Sequence, residues 1–153
     1  MRAGRPSICR KPATTTLPSE TTSSPAETEE AGRRVGERLR RGDVVLLTGA
    51  LGAGKTTFVR GVAHGTGSES PVASPTFQLV RVYPGRLQLA HIDLYRVESN
   101  SELRDLGLEE LAEQGAVVVE WGDRIEVDGA ALIQIEHLGG DRRLIRTMRD
   151  LSH

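Results

Sequence analysis

At 153 residues, with 37% hydrophobic and 27% charged positions, the chain has the size and balance of one folded domain. A net charge of −1 and a pI near 6.4 exclude a broadly basic surface for wrapping nucleic acid, and no apolar run approaches the ~20 residues that span a bilayer. The single cysteine, Cys9, excludes an intrachain disulfide and a cysteine metal cluster, so a reducing, cytoplasmic setting without membrane contact is expected.

Residues 1–25 hold prolines at 6, 12, 18 and 25 among serines and threonines and almost nothing apolar, so they are expected to form a disordered extension, with the domain running from 26 to 150. Ala31, Val35 and Leu39 share one helical face, which predicts a helix ending at Gly42. Val44-Val45-Leu46-Leu47 is a continuous apolar run of the kind found in a strand buried on both faces. A glycine-rich turn follows, and then a helix from about Gly54 to Thr66. Phe77–Tyr83 and Leu87–Asp93 alternate around Pro84-Gly85 and predict a hairpin. Ser99 with Glu102 makes a capping box for a helix carrying Leu103, Leu106, Leu108 and Leu111. Ala116–Val119 is a second buried strand ending at Glu120, and Ala131–His137 and Arg142–Met148 predict two final strands. The alternation of buried strands and helices predicts an α/β, three-layer fold: a central, mostly parallel sheet with flanking helices.

The turn reads Gly49-Ala50-Leu51-Gly52-Ala53-Gly54-Lys55-Thr56, a phosphate-binding loop. Between a buried strand and a helix, such a loop converges backbone N–H groups on phosphate oxygens, and the helix dipole adds to the attraction. Lys55 is then expected to reach the terminal phosphates, Thr56 to place its hydroxyl on Mg²⁺, and Thr57 to contact an inner phosphate. One of the chain's two lysines stands at this position; the other is Lys11, and the remaining basic residues are arginines.

A loop of this kind works with an acid at the end of a neighbouring strand, and both Asp93 and Glu120 qualify. His91, two residues before Asp93, projects from the same strand face and is read as a hydrogen-bonded scaffold residue. Trp121, the only tryptophan, is either core packing or a partner or substrate surface. No Asn-Lys-x-Asp or Asp-x-x-Gly element is present, which argues against a GTPase, and no Leu-Ser-Gly-Gly-Gln element, which argues against a transporter ATPase. A small ATPase or a small-molecule kinase remains, with Arg81, Arg86 and Arg96 open to a kinase role. So does a nucleotide-gated binding module in which hydrolysis is incidental.

Together, the motifs Gly49-x-Leu-Gly-Ala-Gly-Lys-Thr-Thr-Phe58, Ser74-Pro-Thr-Phe77, His91-Ile-Asp-Leu-Tyr-Arg96 and Glu120-Trp121 resemble the TsaE family, across about residues 26–148. The resemblance implies an ATPase that binds ATP and Mg²⁺. It would act with a threonylcarbamoyl transferase and that enzyme's partner subunit to modify the adenosine beside the anticodon in tRNAs reading codons that begin with A. Contact with tRNA would be indirect.

The resemblance further implies a switch-like loop at Ser74, Pro75 and Thr76, organisation of magnesium and attacking water by Asp93 and Glu120, and a functional Trp121. It also implies nucleotide-base contacts at Thr28 and Arg142. Ala50 stands where the family usually has aspartate, and Gly122 where many relatives have proline.

Overall fold

The apolar runs Val44–Thr48, Leu89–Asp93 and Ala116–Glu120 have too little polar surface for solvent on either side, and each becomes a strand buried on both faces. The structure, a computed structural model, describes residues 18–50, 52–72, 80–94, 97, 105–121 and 125–153. The elements follow in the order β1 (Ser19–Thr22), α1 (Pro25–Arg38), β2 (Val44–Thr48), α2 (Lys55–Gly65), β3 (Val80–Tyr83), β4 (Leu89–Asp93), α3 (Leu108–Gln114), β5 (Ala116–Glu120), β6 (Ala131–Gly139) and β7 (Arg142–Arg149).

The strands form one sheet in the order β1-β7-β6-β2-β5-β4-β3. The central four, β6, β2, β5 and β4, are parallel; β3, β7 and β1 close the edges in antiparallel fashion. Val45, Leu47, Leu89 and Val118 pack with Phe58, Val59 and Val62 of α2 on one face. Val44, Leu46, Ile92, Val117 and Val119 form the opposite face, covered by Leu108, Leu111 and Ala112 of α3. The α/β, three-layer reading therefore holds, with the parallel strands at the centre and a mixed sheet overall.

Glycines set the spacing of α1 and α2. A Cβ on Gly61 would run into the Glu29 carbonyl and lie 2.8 Å from the Arg33 nitrogen, and one on Gly65 would lie 2.8 Å from Gly36 Cα. The helices thus touch backbone to backbone. Arg86 fastens their carboxyl ends, its Nη2 donating to Gly36 O and Gly65 O, each at 3.0 Å.

Three expectations about elements change. Ser19–Thr22, inside the stretch read as a disordered extension, is a strand: its polar residues pair with β7 from Ser19↔Arg146 to Thr22↔Arg143, an edge position that needs backbone hydrogen bonds more than apolar side chains. Helix α1 starts with Ser24 Oγ accepting from Glu27 N and stops at Arg38, four residues before Gly42. Gly42, at φ +97°, instead turns the chain into β2 and donates its N–H to Gly115 O. Helix α3 begins after Gly107, whose φ of +73° is non-helical, so Leu106 precedes it. The capping pair Ser99 and Glu102, and Leu103, lie outside the described residues. The hairpin is present as Val80↔Ile92 to Tyr83↔Leu89, with Phe77 outside the described residues.

Candidate functional site

Parallel strands direct all their carboxyl ends to one edge of the sheet, where Lys55, Asp93, Glu120 and Trp121 stand. β2 ends at Thr48, and Gly49 to Gly54 carry the chain into α2 at Lys55, with Leu51 outside the described residues. Ala50 and Gly52 are exposed, whereas Ala53 is buried. Gly54 adopts φ +101° as the N-cap of α2, and among the described residues no side chain caps that terminus. A helix terminus of this kind favours an anion.

Lys55 is 5% exposed. Its Nζ donates to Gly49 O at 2.6 Å and Ala50 O at 3.0 Å, and lies 3.9 Å from the centroid of the Trp121 ring. The ammonium therefore sits at the mouth of the loop, held by oxygens and by a π face. Trp121 alone among the described non-glycine residues has a positive φ, +62°, a sterically unfavourable setting for a bulky side chain. Its ring thus crosses from the end of β5 to the phosphate loop.

Asp93 and Glu120 are direct partners in the β4–β5 register, and Glu120 is also opposite Leu47 of β2. The two acids therefore stand side by side at the strand ends next to the phosphate loop. Glu120 is buried and its Oε2 lies 2.5 Å from Nε2 of the fully buried His91. Thr56 and Thr57, in the first turn of α2, are half-buried. Among the described residues no group of three or more His, Cys, Asp or Glu converges into a metal cage. Mg²⁺ needs none, because it is commonly held by one or two carboxylates together with water and phosphate oxygens. The hard oxygen donors Thr56, Asp93 and Glu120 fit such an ion.

Thr28 is buried, shares a 2.7 Å hydrogen bond with Thr22, and lines a small cavity of about 30 Å³ with Pro25, Gly54, Thr57, Asp141 and Arg143. Thr28 and Thr57 therefore line one cavity beside the loop. Arg142 is exposed, and it is Arg143 that faces the loop: a Cβ on Gly54 would lie 3.2 Å from Arg143 Nε. Arg142 and Arg143 are consecutive on β7, pairing with Gly139 and His137, and neighbouring residues of a strand point to opposite faces. Ser74, Pro75, Thr76 and Gly122 lie outside the described residues. Sequence reasoning missed Arg143 and the His91–Glu120 contact; the shared face of His91 and Asp93 was the only signal for the latter.

The chain is similar to known proteins along most of its length. The family model described as "Threonylcarbamoyl adenosine biosynthesis protein TsaE" matches residues 22–145. The tRNA threonylcarbamoyladenosine biosynthesis protein TsaE of Treponema pallidum is 47% identical over 103 residues, 67% of this chain and 76% of that protein. The Bacillus subtilis protein of the same name is 43% identical over 129 residues, 81% and 80% of the two chains. The crystal structure of B. subtilis YdiB superposes with a TM-score of 0.72 at 33% identity, covering 86% of this chain and 84% of that one. The chain belongs to the TsaE family of threonylcarbamoyl adenosine biosynthesis proteins.

Proposed function

We propose that this protein hydrolyses ATP at the Gly49–Thr56 loop, with Mg²⁺, and that this ATPase sustains threonylcarbamoylation of the adenosine beside the anticodon of tRNA. The family ties the chain to threonylcarbamoyladenosine biosynthesis. What carries the hydrolytic reading is one juxtaposition: a glycine loop and uncapped helix terminus on β2, beside two carboxylates in direct register on β4 and β5.

In this reading the backbone amides of the loop bind the phosphates, and Lys55 exchanges Gly49 O and Ala50 O for phosphate oxygens. Thr57, Thr28 and Arg143 border the bound nucleotide on the side of α1 and β7. Magnesium, when bound through Thr56 and Asp93, supplies charge neutralisation on the phosphates. Glu120 orients the attacking water and accepts its proton. Trp121 leaves Lys55 as the phosphates arrive, which makes its ring available to the threonylcarbamoyl transferase or its partner subunit. Contact with tRNA runs through those partners.

A kinase reading loses one of its arginines, because Arg86 is already committed to the carbonyls of α1 and α2. The test is phosphate release from ATP by the full chain, alone and with the transferase and its partner. Partner-stimulated release that Lys55→Ala abolishes supports the proposal; release driven by an added acceptor metabolite, with phosphate transferred to it, contradicts it.

A further inference from the structure

His91 is fully buried in the middle strands, an expensive place for an imidazole unless its polar atoms are used. Its two nitrogens are used very differently. Nε2 lies 2.5 Å from Glu120 Oε2, whereas Nδ1 has no hydrogen-bond partner among the described residues. The ring also packs at a tilt against Tyr83, centroid to centroid 6.2 Å, which fixes its plane.

This asymmetry selects a tautomer. A carboxylate only accepts, so a contact this short needs the hydrogen on Nε2. An imidazolium, or a neutral ring protonated at Nδ1, would bury an N–H with nothing to receive it, and the second of these would also set a bare Nε2 lone pair against the carboxylate. The arrangement that leaves no donor orphaned is a neutral ring with its proton on Nε2, donating to an ionised Glu120.

We infer that His91 is a positioning residue for Glu120: its Nε2–H holds Oε2, fixes the carboxylate rotamer beside Asp93, and leaves Oε1 to accept the proton of the attacking water. The inference rests on the proposed hydrolysis at this site. The proton balance is simple. Water gives its proton to Glu120 as its oxygen bonds the terminal phosphorus and ADP leaves, and His91 keeps its own proton throughout. Distance along the strands supports the division of labour, since His91 is opposite Val118, one pleat further from the loop than Glu120. His91 therefore reaches the reaction only through the carboxylate.

The test compares His91→Gln with His91→Asn in the full chain with its partner proteins. Gln carries an amide nitrogen about where Nε2 stands; Asn carries one about where Nδ1 stands and cannot reach Glu120. His91→Asn is expected to lower kcat on the order of 10- to 100-fold while the ATP Kd changes by less than about twofold, and His91→Gln to recover most of the rate. In the Glu120→Gln background, His91→Asn should slow turnover no further, because the group it positions is already lost. A merely structural histidine would make the two variants equally slow, or multiply with Glu120→Gln, and either result overturns the inference. If the wild-type protein releases no phosphate under any condition, the hydrolytic reading falls and this inference with it. If wild type turns over and His91→Asn matches it, only the positioning role falls.

Discussion

Replacing Gly61 by alanine tests how α2, and with it the phosphate loop, is held. In an isolated helix this change stabilises by ~1 kcal/mol, because alanine loses less backbone entropy and is the better helix former. Here the new Cβ would strike the Glu29 carbonyl and stand 2.8 Å from Arg33 N, where ordinary contact begins at 3.4 Å; the carbonyl is the closer obstacle, so α1 must retreat by more than ~1 Å. Both opposing atoms are backbone, and no rotamer change relieves them. Overpacking of this kind costs about 1–3 kcal/mol, and the upper end applies when backbone meets backbone. Set against the propensity gain, the net loss is ~2 kcal/mol, or a Tm lower by about 4–8 °C for a chain of this size. Thermal unfolding followed by circular dichroism measures it. An unchanged or higher Tm would show that helix propensity governs and that the close approach of α1 and α2 does not matter.

Gly54→Ala should weaken ATP binding by more than tenfold, since alanine is strained at φ +101° and its Cβ would press on Arg143; isothermal titration checks this. Arg143→Ala should weaken ATP binding about tenfold, equivalent to ~1.4 kcal/mol, while Arg142→Ala stays near wild type, and the reverse order would favour Arg142 as the nucleotide contact. Arg86→Ala removes a guanidinium that joins the carboxyl ends of α1 and α2, and should lower unfolding free energy by about 1.5–3 kcal/mol in urea titrations without changing the ATP Kd.

The residues explain which parts of this fold were legible in advance. β2, β5 and the phosphate loop announce themselves because a double-sided apolar run admits few other environments, and glycines before Lys55 admit few other turns. β1 is silent because an edge strand of Ser, Glu and Thr is stabilised by backbone pairing, which composition does not record. Gly32, Gly36, Gly61 and Gly65 read locally as weak points of two helices, whereas together they are the surface on which those helices meet. Strand order was the missing quantity at the site. His91 and Asp93 could be placed on one face by period, but joining His91 to Glu120 required β4 and β5 to be neighbours in one register. Arg142 was offered by resemblance alone, and the choice between it and Arg143 depended on which face of β7 turns to the loop.

The central claim is that Glu120 drives hydrolysis at a loop that binds ATP independently of it. Single-turnover ATP hydrolysis by Glu120→Gln, measured beside wild type with the transferase and its partner present and with ATP binding measured on the same samples, tests it most directly. Wild-type ATP binding and a hydrolysis rate reduced by at least about 100-fold are expected. Hydrolysis by Glu120→Gln at the wild-type rate would contradict it.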